Sequence, residues 1–182
     1  MSGAPEDHAR QMIQQVTGIA LEGDLEDTPA RMVRALREMT SGYQLDPAQI
    51  LSRQFDVGCD EIVVVKGVRF TSLCEHHLLP FSGVAHVGYL PGAKVVGLSK
   101  LARLVTCFAQ RLQVQERLTR EIADAMNKHL SPRGVAVVIT SRHACMGYRG
   151  ARQPDAEMST SSMLGAFRTD AAVRAEFFNL VR

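Results

Sequence analysis

The chain has 182 residues, 46% hydrophobic and 22% charged, the length and balance of one ordinary folded domain able to bury a sizeable core. A formal charge of +2 and the lack of tryptophan argue against a basic nucleic-acid coat and against a stacking platform for single strands. No apolar run approaches a membrane span and MSGAPEDHARQMIQQ carries no apolar leader core, so the expectation is a cytoplasmic protein with reduced thiols, no membrane and no nucleic-acid partner.

From about Glu6 to Ile19, the stripe of Met12, Ile13 and Val16 predicts a helix. LEDTPARMVRALREM predicts a second, capped by Asp27 or Thr28 with Pro29 in its first turn. SGYQLDP reads as breaker and loop. Glu61 to Phe70, EIVVVKGVRF, has the β-branched enrichment of a strand, and FSGVAHVGYLPG alternates like a second. A helix opens at Ser99 and runs to about Arg111, and VQERLTREIADAMNKHL is a longer amphipathic one ending before SPRG. GVAVVITSRHAC reads as a buried strand, MSTSSMLGAF as a further strand candidate, and Asp170 onward as a short helix. A helical arm over 1–58 is therefore expected before a catalytic domain over 59–182. That domain would have the order β-β-α-α-β-β, an α+β fold of antiparallel hairpins with two helices on one face.

The chemistry concentrates in SLCEHHLLPF, residues 72–81. In an extended strand Cys74 and His77 would point to opposite faces. In a turn they converge, and C-x2-H is ordinary zinc-ligand spacing. Pro80 and the strand after it suit such a turn, leaving His77 as the ligand and His76 free. SRHACM adds His143 and Cys145, two residues apart at a strand end and so on one face. Cys74, His77 and Cys145 would leave one position open, the catalytic pattern of zinc. His76 and His143 then suit proton transfer beside it. Cys59 and Cys107 read as small apolar residues, although either one as a fourth ligand would make the site structural. A zinc deaminase would need H-x-E followed by P-C-x-x-C, and neither motif is present.

Ser99, Lys100 and Arg103 open a helix, where free backbone N–H groups and the dipole favour an anion. Arg149 follows Cys145 by four residues in CMGYRG. Each taken singly suits solvent; together, placed beside the candidate metal site, they favour a phosphate-bearing substrate. Glu116 opens a helix, where an acid ordinarily answers the dipole and pairs with Arg120. A carboxylate there can also accept two N–H bonds from a guanine-like edge.

TSLCEHHLLPFSGVAHVGYLP, VVGLSKLARLV, QRLQVQERLTREIA, RHACMGYRGAR and STSSMLGAF, with DTPARM, resemble the GTP cyclohydrolase I family from Asp27 to the C-terminus. The resemblance implies the tunnelling fold (T-fold) and zinc on Cys74, His77 and Cys145. It implies catalytic roles for His76 and His143 and a guanine anchor at Glu116 with Gln115 beside it. Ser99, Lys100, Arg103, Arg149 and Arg31 match positions that hold ribose and triphosphate. The implied reaction opens the guanine imidazole ring of GTP with a zinc-activated water and releases formate. Rearrangement and closure to 7,8-dihydroneopterin triphosphate follow. A toroidal homodecamer is implied, with active sites between subunits and the Glu116 helix facing a neighbour's zinc. Gly147 stands where relatives commonly carry a bulkier residue, and is expected to loosen the loop bearing Arg149.

Overall fold

The structure is a computed structural model that describes residues 3–182. It divides into two compact units, one ending at Thr40 and one spanning Ser41–Arg182.

The first unit holds two helices. α1 (Pro5–Thr17) starts at a proline and ends at Gly18 in the left-handed region, whose N–H closes on the Gln14 carbonyl. α2 (Thr28–Met39) again carries proline in its first turn. Arg10 ties the connection to α1 by donating to the carbonyls of Leu21 and Glu26.

In the second unit, a 3-10 turn over Ser41–Gln44 lies within the stretch read as breaker and loop, and α3 (Pro47–Leu51) starts at its last residue. Asp46 accepts from the Ala48 N–H and Pro47 takes the first helical position, so the Asp-Pro pair is a helix start here. β1 (Gln54–Phe55) follows, then β2 (Val63–Cys74), β3 (Pro80–Leu90), β4 (Val95–Val96), α4 (Leu98–Ala109), β5 (Leu112–Gln113), α5 (Gln115–Leu130) and β6 (Gly134–His143). The chain closes with α6 (Ala144–Gly147), β7 (Met158–Gly165), α7 (Ala166–Thr169) and α8 (Ala171–Val181).

The main sheet runs β5-β2-β3-β6-β7, antiparallel except for the short β5, which lies parallel to the end of β2. Among the long elements the order is β-β-α-α-β-β, as expected for an α+β T-fold chain. The 2.0 period of the strands puts Ala85, Val87 and Tyr89 of β3 with Val135, Val137 and Ile139 of β6 on one face. There they bury Leu101, Leu104 and Val105 of α4 and Leu118, Ile122 and Met126 of α5, all 0–1% exposed. The other face carries Ala136 and Val138, covered by Phe167 of α7 and Phe177 of α8.

The register gives the sheet two chemically different ends. Cys74, Pro80, His143 and Met158 collect at one; Val63, Leu90, Gly134 and Gly165 at the other. α4 and α5 run in opposite directions between them, so Gln115 stands at the first end and Leu98 at the second. The second position is fixed by the β4–β1 pairing and by the Tyr89 hydroxyl, which accepts from the Val96 N–H.

Candidate metal centre and active site

β2 ends at Cys74 and the chain reverses over residues 75–79 into β3. The Cys74 N–H donates to the Leu79 carbonyl, and the His77 and Leu78 N–H groups return to the Cys74 carbonyl. Leu78 pays for this tight reversal with a φ of +54°, the left-handed region that non-glycine residues seldom occupy. The turn does what an extended strand cannot: it brings the Cys74 Sγ to 3.7 Å from His77 Nδ1. Cys145 joins them because β6 ends at His143 and a single turn of α6 swings the next residues back. Donor atoms of Cys74, His77 and Cys145 all lie within 4.8 Å of one another.

Two ligands of a tetrahedral zinc, sulfur at about 2.3 Å and nitrogen at about 2.0–2.1 Å, stand roughly 3.6 Å apart. The Cys74–His77 spacing fits that, and the donor set suits a soft divalent ion. Burial, and next the adjacent Cys74 thiol, push the Cys145 thiol above its ordinary range. A metal ion reverses that preference by deprotonating the thiols it binds. Cys59 and Cys107 stand outside this group: Cys107 is buried in α4 beside the Gly42 and Leu45 carbonyls, and Cys59 lies near the Glu61 carbonyl.

His76 turns away from the donor set. Its side chain is 64% exposed and its ring lies edge-on to His77 with centroids 6.2 Å apart. Glu75 Oε1 lies 3.8 Å from His76 Nε2, and the other carboxylate oxygen takes a short ion pair from Arg117 of α5. That hydrogen bond, more than any other influence, holds the Glu75 carboxyl below its ordinary range. Arg117 is fixed in turn by donating to Gln113 Oε1 and the Leu112 carbonyl. Glu75 and Arg117 were not singled out from the sequence, because 42 residues separate them and neither sits in a ligand-like spacing.

His143 stacks on Phe81, its register partner, with ring centroids 4.5 Å apart and planes within 4°. Its Nε2 lies 2.9 Å from Gln115 Oε1 and 3.2 Å from Ser141 Oγ. Burial lowers its pKa, and the Glu116 carboxylate opposes that shift. The start of α5 therefore stands against His143 of its own chain. Glu116 is exposed, whereas Gln115 is 1% exposed with both ends of its amide engaged inside the fold. That leaves the Gln115 side chain no free polar atom for a substrate. A cavity of about 410 Å³ opens beside His143, lined by Ser82, Arg142, Tyr148 and Asp155 among others.

Arg149 reaches the centre directly, with Nη1 3.0 Å from His77 Nε2. Gly147 does not loosen its loop. A Cβ there would stand 3.2 Å from Pro154 Cα, so the glycine lets residues 152–154 close on α6, where the Gln153 N–H donates to the Met146 carbonyl. Ser99, Lys100 and Arg103 are not brought to this end. They lie at the start of α4, a helix length of about 18 Å from its Ala109 end near the β2–β5 pairing. Within one chain they are therefore remote from Cys74, and adjacency in sequence order did not say which end of α4 faces it. Arg31, in the first unit, pairs with Asp27 at 3.2 Å.

A family model described as GTP cyclohydrolase I matches residues 5–182. A GTP cyclohydrolase 1 of Mycobacterium ulcerans (strain Agy99) is 54% identical over 161 residues, covering 87% of this chain and 80% of that protein. A GTP cyclohydrolase 1 of Methylococcus capsulatus (strain ATCC 33009 / NCIMB 11132 / Bath) is 48% identical over 172 residues, covering 94% and 93%. A solved structure described as "Crystal structure of the archaeosine synthase QueF-Like in the apo form" aligns with 58% of this chain and 94% of that one. Its sequence identity is 19% and the TM-score 0.49.

Proposed function

The chain belongs to the GTP cyclohydrolase I family, and from that premise we propose how its residues divide the work of that enzyme. The reaction opens the guanine imidazole ring of GTP by hydrolysis, releases formate and closes to 7,8-dihydroneopterin triphosphate, the entry to pterin and folate synthesis. Cys74, His77 and Cys145 would hold zinc; the observation that carries this is their convergence within 4.8 Å with His143 and His76 flanking them. Zinc so held lowers the pKa of a water it binds, supplying a nucleophile at neutral pH.

Every other task falls to the protein. Glu116 accepts the paired N–H groups of the guanine edge. His143 gives a proton to purine N7 as the ring opens, and His76, its side chain exposed, exchanges a proton at the ribose ring oxygen. Arg149, Arg31, Ser99, Lys100 and Arg103 take the ribose and triphosphate. Because the last three sit at the far end of α4 from Cys74, they would serve the centre of another copy. This supports active sites between subunits, and the assembly proposed for them is a toroidal homodecamer. No helix among the described residues is long and apolar enough to cross a membrane, and a cytoplasmic location is proposed.

The test is to incubate metal-quantified protein with GTP and follow formate and oxidised neopterin fluorescence together. Both products are expected, lost on chelation and restored by zinc, with Cys145→Ser losing metal and turnover together. Formate without neopterin would remove the ribose-opening role from His76; neither product with metal bound at one per chain would overturn the assignment.

A further inference from the structure

We propose that Gln115 is a positioning residue for His143, fixing its working nitrogen as Nδ1. The catalytic role of His143 itself rests on the function proposed above; the tautomer does not. One end of the Gln115 amide lies 3.1 Å from the Ile139 carbonyl and 2.9 Å from the Met158 carbonyl. Backbone carbonyls only accept, so that end is the NH2 group. Its two protons are shared among these carbonyls and Thr160 Oγ1, at 3.1 Å, and none is left over.

The opposite end is then the oxygen. It accepts the Ser141 hydroxyl at 2.6 Å and faces His143 Nε2 at 2.9 Å. An amide oxygen has no proton to give, so a hydrogen bond here requires the proton to sit on Nε2. Ser141 Oγ, its own proton committed to Gln115, is a second acceptor for the same N–H at 3.2 Å. At 1% and 2% exposure, Gln115 and Ser141 are closed to water that would otherwise substitute. Stacking on Phe81 holds the ring plane.

The neutral imidazole and the imidazolium therefore share one fixed feature, Nε2–H on Gln115. Nδ1 makes no hydrogen bond among the described residues. In ring opening, an N–H bond forms at purine N7 as the Nδ1–H bond of the imidazolium breaks. The ring returns to the neutral Nε2–H tautomer. The proton held by Gln115 never moves.

Neutron diffraction from deuterium-exchanged crystals of the zinc-loaded protein reads the tautomer without any variant. Deuterium on His143 Nε2, with the Gln115 oxygen facing it, is expected; deuterium on Nδ1 alone, or a reversed amide, would overturn the proposal. Gln115→Met, kept only if circular dichroism shows it folded, removes the acceptor at similar volume. With GTP its kcat should fall about 10- to 100-fold while KM stays within about twofold. A raised KM with kcat retained would instead make Gln115 a substrate contact. Wild-type protein that releases no formate from GTP would undo the assigned reaction, and the deuterium position would still decide the tautomer.

Discussion

His86 shows how a single side chain can sit against its surroundings without serving the site. It lies on β3 opposite Val138, and its Nδ1 is buried with no hydrogen-bond partner. Burial, and next the charge of Lys66, lower its pKa from the ordinary 6.5. Below that value the unfolded chain takes up a proton that the folded chain resists, so stability is full above 6.5 and falls as pH drops through the lowered folded value. His86→Leu should therefore melt above wild type by about 2–4 °C near pH 5.5, with a smaller gap near pH 8; equal gaps at the two pH values would refute the titration argument. The candidate ligands were the most legible residues. Cys74, His77 and Cys145 declared themselves by spacing and by the turn that Pro80 suits. Gln115 did not, because its partners Ile139, Ser141, His143 and Met158 lie far along the chain and only the β6–β7 register assembles them.

At the scale of elements, the long strands and helices followed from periodicity, with ends within a few residues. The short pieces did not: β1 and β4 are two residues each, too short to carry a period, and are held by pairing with each other and by the Tyr89 hydroxyl. Two glycines mark where backbone geometry carries the sheet. Gly67 has φ +80° at the irregularity of β2 between Val65 and Val68, and a Cβ there would meet nothing within 4 Å. Gly165, with φ +55°, ends β7, and a Cβ there would fall 2.3 Å from the Arg133 carbonyl oxygen. Gly67→Ala should thus cost about 1–2 kcal/mol, the backbone penalty alone. Gly165→Ala adds a collision with backbone and should exceed about 3 kcal/mol. Denaturant unfolding of the two variants checks the order, and similar losses would mean that the β7–α7 corner yields.

For the whole molecule, the decisive fact is that α4 carries its basic start away from Cys74. No sequence pattern reports that, since it depends on which way the helix crosses the sheet. If centres are shared between copies, two inactive variants should complement each other. Arg103→Ala would lack the proposed anion contact and Cys145→Ser the proposed metal, so co-refolding them in equal amounts should restore roughly a quarter of the sites. Activity of the mixture no greater than the sum of its parts would place every contact within one chain.

The ligand set also has a history built into it. Cys74 and His77 are adjacent on one turn, but Cys145 reaches them only after β6 has been laid beside β3. A chain emerging from the ribosome therefore owns two donors through the whole synthesis of α4 and α5, and gains the third only when β6, the third long strand of the sheet, docks. An ion held by all three, as proposed, would cross-link the first hairpin to β6, and would stabilise only chains in which that strand has docked.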